Sequence, residues 1–144
     1  ASPVVLDMID ASALLWRLQL RDIAVGSRWQ ALAERWAAVS ATSTYAFSDL
    51  HAMMAFVGAD SMGDADKLLM AQQDALERSD DNREFLRDVG LQATHAVHDF
   101  ALGRYADAAE RDLLRRCISS EQLRWHKSRR NSSRDDAREA GSQE

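Results

Sequence analysis

At 144 residues and 16.1 kDa the chain suits one domain of ordinary size, with room for a continuous apolar core. It carries 24 alanines and 16 leucines against 10 valines and isoleucines together, with Pro3 its single proline, a usage that favours helix and excludes all-β and collagen-like classes. The 46% hydrophobic share is too high for a disordered chain, no uncharged apolar run approaches the roughly 18 residues of a membrane span, and a net charge of -5 argues against nucleic acid as the main partner.

Asp7 or Asp10 can cap a first helix that reaches about Arg21, with Ile9, Ala13, Trp16 and Leu20 as its apolar stripe and Leu14, Leu15 and Leu18 widening it. Ser27-x-x-Gln30 has the spacing of a capping box and opens a second helix to about Val39, whose inward positions are Trp29, Leu32, Ala33 and Trp36. After a polar link, Phe47 to Ala59 is apolar on most of its circumference (Phe47, Leu50, Met53, Met54, Phe56, Val57), which places that helix in the interior. Its small residues Ser48, Ala52, Ala55 and Ala59 let another backbone approach. A fourth helix, about Asp64 to Arg78, buries Ala65, Leu68, Leu69 and Leu76, with Gln72 or Gln73 on the same side. Ser79 to Asn82 caps a fifth that runs to about Leu102, with Leu86, Val89, Ala93, Val97 and Phe100 inward and Asp88, Gln92, His95 and Asp99 opposite. A sixth spans about Tyr105 to Ile118 and turns Ala108, Ala109, Leu113 and Leu114 inward.

The expected architecture is all-α: three antiparallel helical hairpins, about 7-39, 47-78 and 83-118, stacked as a right-handed superhelix of tetratricopeptide-like pairs over residues 1-118. Residues 119-144 are expected to form a short helix and a mobile tail. Ala65 and Ala108 hold matching places 43 residues apart, and Gly103-Arg104-Tyr105-Ala106-Asp107-Ala108 has the Gly-x-Tyr-x-x-Ala spacing of a tetratricopeptide turn.

Three segments carry a more specific likeness. They are Leu14-Leu15-Trp16-Arg17-Leu18-Gln19-Leu20 with Val25-Gly26-Ser27-Arg28-Trp29, then Phe47-Ser48-Asp49-Leu50-His51-Ala52-Met53-Met54-Ala55-Phe56-Val57-Gly58-Ala59, and Arg87-Asp88-Val89-Gly90-Leu91. In order and spacing they resemble the tetratricopeptide repeat protein 38 family and its bacterial relatives, over about Asp7 to Leu114. The resemblance implies a superhelix of helical pairs within a longer parent chain and no catalytic chemistry. Ser48 stands where the family usually has asparagine, and the chain after Cys117 has no counterpart to the family's later helices, so it reads as a truncated or diverged piece of the array.

No phosphate-binding glycine loop, nucleophile elbow or zincin motif occurs. His95-x-x-His98 is the one metal-like spacing, and with His51 it defines the alternative reading, a metal-binding or metal-dependent hydrolytic helical bundle. Two residues apart on one helix, Asp49 and His51 point about 200° from each other, which suits internal hydrogen bonds better than a catalytic dyad. Cys117, the single cysteine, precludes an intramolecular disulfide.

The leading expectation is therefore a noncatalytic scaffold that mediates protein-protein interaction through a groove lined by the first helix of each pair. That reading nominates Arg17, Asp49, His51, Gln92, His95 and Asp99 as protein-binding groove residues. It expects no catalytic, cofactor-binding or metal residues and no cofactor, no nucleic-acid or membrane partner, and a homodimer formed through an exposed repeat end near Leu113, Leu114 and Ile118. The absence of an N-terminal signal segment and the lone cysteine point to the cytoplasm.

Overall fold

The computed structural model describes residues 3-39, 45-77 and 82-111. Helix is the only regular structure among the described residues. The elements are α1 (Pro3–Gln19), α2 (Arg28–Ala37), α3 (Ala46–Gly58), α4 (Met62–Leu76), and a last long run made of α5 (Asn82–Phe85), a π-helical turn (Leu86–Gly90) and α6 (Leu91–Ala101). Residues 105-111 are helical as well. The short helix and tail expected over 119-144, the end of the sixth helix and the apolar end at Leu113, Leu114 and Ile118 lie outside the described residues.

α3 lies at the centre and packs on α1, α2, α4 and α6. Ala52, Met53 and Ala55 on it have no exposed surface, and the two alanines permit close approach of the helices around them. The contacts follow one rule. α2 packs on α1 and also on α3; α4 packs on α3 and also on α6. The main core gathers Met8, Leu15, Trp29, Trp36, Met53, Phe56 and Leu68 from α1 to α4. No helix among the described residues is long and apolar enough to cross a membrane.

Three helix ends are built alike. The amide of Ile23 donates to the Leu18 carbonyl, that of Ser61 to Phe56, and that of Arg104 to Asp99, each closing over a residue with positive φ: Asp22 (56°), Asp60 (57°) and Gly103 (73°). These are Schellman-type ends, in which a left-handed residue lets an amide beyond the helix satisfy a carbonyl of its last turn. They close α1, α3 and α6.

Several elements depart from the sequence-based expectation, each for an identifiable reason. α1 starts at Pro3, where a missing N–H costs nothing, instead of after Asp7 or Asp10. Its buried residues are Met8, Ser12, Leu15 and the expected Ile9, while Leu14 and Leu20 are exposed. Ser12 belongs inside because it is bonded on both sides: the Trp36 indole donates to its Oγ at 2.9 Å, and its hydroxyl donates to the Met8 carbonyl at 2.8 Å. The capping box at Ser27 does not form, since Ser27 has φ -78° and ψ 11° and its side chain makes no cap bond. Gly26, at φ 60°, turns the chain there, and Arg28 donates to the Val25 carbonyl at 2.9 Å.

The long run that ends in α6 is rotated relative to its expected stripe. The π-turn adds a residue to one turn of helix and so shifts everything after Leu86. Gly90, Thr94 and His98 become buried, Phe100 is exposed, and Asp99 moves from the expected polar face into the interior. Gly90 meets α3 at this turn, where an added Cβ would lie 2.5 Å from that of Ala46.

Candidate binding groove

α1, α3 and the run ending in α6 share a cavity of about 820 Å3. α1 contributes Trp16 and Leu20, α3 contributes Phe47, Leu50 and Met54, and the third run contributes Phe85, Val89, Ala93, Val97 and Phe100. Tyr105, Ala108 and Ala109 form one rim. Among the described residues no charged side chain lines it, and Trp16 and Tyr105 are the lining residues whose side chains carry a polar atom. The aromatic rings set its wall. Phe100 stands edge-on to Trp16 with centroids 5.7 Å apart and edge-on to Tyr105 at 5.3 Å. Phe47, Phe85, Phe100 and Tyr105 are nevertheless 45%, 46%, 37% and 63% exposed, so the site presents a large apolar surface to solvent.

The expected stripe of α1 reappears here. Its Trp16 and Leu20 face the groove while Met8, Ser12 and Leu15 face the core, so α1 carries two adjacent apolar faces. Periodicity alone does not separate a core face from a groove face.

None of the six polar residues nominated from the sequence lines this groove. Arg17 is exposed on α1 beside Trp16 and donates to the Ala13 carbonyl at 3.4 Å. Asp49 and His51 are buried, on different sides of α3. Asp49 accepts from the Gln72 amide of α4 at 3.3 Å, and that amide also donates to the Thr94 hydroxyl of α6 at 3.1 Å, which in turn donates to the Gly90 carbonyl at 2.9 Å. One polar chain thus joins α3, α4 and α6 through the core. The His51 Nδ1 donates to the Phe47 carbonyl at 2.8 Å, and the ring lies 4.6 Å from that of Phe47. His51 therefore backs a groove residue without reaching the groove.

Gln92, His95 and Asp99 belong to a second network, between α6 and 105-111. Asp99 accepts from Arg104 at 2.5 Å and from Arg111 at 2.7 Å, and Arg111 also donates to Gln92 at 3.0 Å. Burial pushes the Asp99 carboxyl up, but hydrogen bonds and charge from Arg111 and Arg104 outweigh it and hold the group below its usual range. Half-buried His95 is held below the usual histidine value by burial first and the Arg111 charge second. Asp49, His51 and Asp99 turn inward because each finds a hydrogen-bond partner there that satisfies its buried polar atoms, whereas Arg17 stays exposed.

The metal alternative does not assemble. Among the described residues no three His, Cys, Asp or Glu side chains come together as a ligand set, so His51, His95 and His98 do not converge. His98 instead faces α4, its Nε2 3.4 Å from the Asp66 carboxylate. Gln72 and Thr94 are the network members that sequence reasoning did not single out. Gln72 left a trace, since it falls in line with Ala65, Leu68 and Ala75, whereas Thr94 is brought inward only by the π-turn.

No family model matches the chain, and no solved structure matches it.

Proposed function

We propose that the chain is a noncatalytic, tetratricopeptide-like helical-repeat module, related to the tetratricopeptide repeat protein 38 family, that holds an apolar segment of a protein against the first helices of its three pairs. The observation that carries this reading is the groove of about 820 Å3, uncharged among the described residues, walled by α1, α3 and the run ending in α6. The packing rule supports the repeat reading, since the second helix of each pair also rests on the first helix of the next. The like ends at Asp22, Asp60 and Gly103 support it again. Burying exposed rings such as Phe47 and Phe100 would supply the drive for association, and the uncharged wall selects an uncharged face on the partner. The lone cysteine suits the cytoplasm as the place of action.

Serine at both Phe47 and Phe100 tests the reading. Both rings are partly exposed, so the helical signal in circular dichroism is expected to stay intact while capture of the protein bound by the wild-type chain weakens at least tenfold. Unchanged capture with an intact helical signal would remove the groove from this role.

A further inference from the structure

We propose that residues 104-111 are a strap, pivoted at Gly103 and held by an ionic clasp on Asp99, that opens as a unit and widens the groove along the rim it forms. Among the described residues the strap is fastened by charge more than by apolar burial. Ala108 is its one buried residue, Arg111 is half-buried and the rest are exposed. Its one large apolar side chain, Tyr105, is 63% exposed and stands edge-on to the Phe100 ring. The clasp is closer. Asp99, with only 4% of its side chain exposed, accepts from Arg104 at 2.5 Å through one oxygen and from Arg111 at 2.7 Å through the other, and Arg111 also donates to Gln92 at 3.0 Å.

Gly103 supplies the pivot. Its φ of 73° is a conformation that glycine adopts freely, and no described residue packs within 4 Å of where a Cβ would stand, so the backbone can turn there without a neighbour moving. A segment with few buried apolar contacts opens locally at far less cost than the whole fold. Both arginines lie on the strap and share one carboxylate, so the clasp releases them together and the strap has two states, closed and open. Tyr105, Ala108 and Ala109 are rim residues of the groove, so the rim leaves with the strap while the core gathered from α1 to α4 stays packed. A segment too bulky for the closed groove therefore binds with an affinity reduced by the fraction of chains whose strap is open. That consequence rests on the groove reading above, whereas the opening of the strap does not.

Amide hydrogen exchange of the full chain, read residue by residue by NMR, tests the strap with no partner present. The amides of residues 108-110 are expected to be roughly a hundredfold less protected than those of Met53 and Ala55 in α3, which have no exposed surface. Urea at about 1 M is expected to speed exchange at Met53 and Ala55 about tenfold, because they exchange through global unfolding, and at 108-110 less than about twofold, because local opening exposes little surface. Arg104→Gln together with Arg111→Gln is expected to speed exchange at 108-110 about tenfold, through the loss of bonds to a charged group. Strap amides as protected as those of α3, or as sensitive to urea, would show that the strap opens only with the whole fold and would overturn the proposal. Unchanged exchange at 108-110 in the double variant overturns it too, since the clasp would then not be what holds the strap. Neither result bears on capture of a partner, so the Phe47 and Phe100 binding test stands or fails separately.

Discussion

Replacing Gly58 by alanine adds one methyl at the point where α3 meets α2. A Cβ there would overlap the Trp29 indole at three ring atoms, and Trp29 is only 3% exposed, wedged in the main core. Two effects oppose each other. Alanine gains up to about 1 kcal/mol of helix propensity over glycine, less at the last residue of a helix, while forcing extra volume into a packed site costs about 1 to 3 kcal/mol. The ring cannot give way cheaply, so the overlap wins and the net loss is expected at about 1 to 2 kcal/mol, a fall in Tm of roughly 3 to 8 °C for a domain of this size. Urea unfolding followed by circular dichroism gives the number, and a cycle with Trp29→Leu isolates its cause. With the indole gone, Gly58→Ala should be neutral or slightly stabilising. A Gly58→Ala protein as stable as wild type with Trp29 in place would refute the claim that this contact sets how α2 seats on α3.

Gln72→Leu removes the amide that both Asp49 and Thr94 accept, and is expected to cost about 1 to 3 kcal/mol in urea unfolding despite the added apolar surface. Asp99 titrates lower when folded, so its contribution is fully present above the unfolded value near pH 4 and is lost as pH falls through the folded value; wild type should therefore lose more stability than Asp99→Asn between about pH 5 and 3. His95 also titrates lower when folded, so the unfolded chain takes up its proton first, and stability present above about pH 6.5 declines as pH drops toward the folded value. His95→Gln should flatten that decline in thermal melts recorded from about pH 7 to 5, and an unchanged slope would show that another group causes it.

The helical class and the positions of the helices were legible because alanine and leucine set propensity along the chain and the stripes of α2 and α4 repeat cleanly at Trp29, Leu32, Ala33, Trp36 and at Ala65, Leu68, Ala75. The faces of α1 and α6 were not. α1 is apolar on two sides, and only the indole bond from Trp36 identifies Ser12 as the inward position. In α6 a single π-turn displaces the register, and nothing in the run Leu86 to Gly90 announces it beyond a glycine that Ala46 needs at close range. For the nominated residues, the internal hydrogen bonds of Asp49 and His51 were legible from their place in an apolar helix, and the burial of Asp99 was not. α1, α3 and α6 wall an apolar cavity, and the buried carboxylates Asp49 and Asp99 turn to partners on other segments instead of lining it.

The most direct measurement places a photoreactive benzophenone amino acid at Phe47, on the groove wall, and separately at Met70, on the outer face of α4, in chains expressed in the native host. Crosslinking to a discrete protein at Phe47, with none at Met70, is the result that a groove built to hold an apolar protein segment predicts. Equal adducts at the two positions, or a protein adduct at Met70 alone, would contradict it.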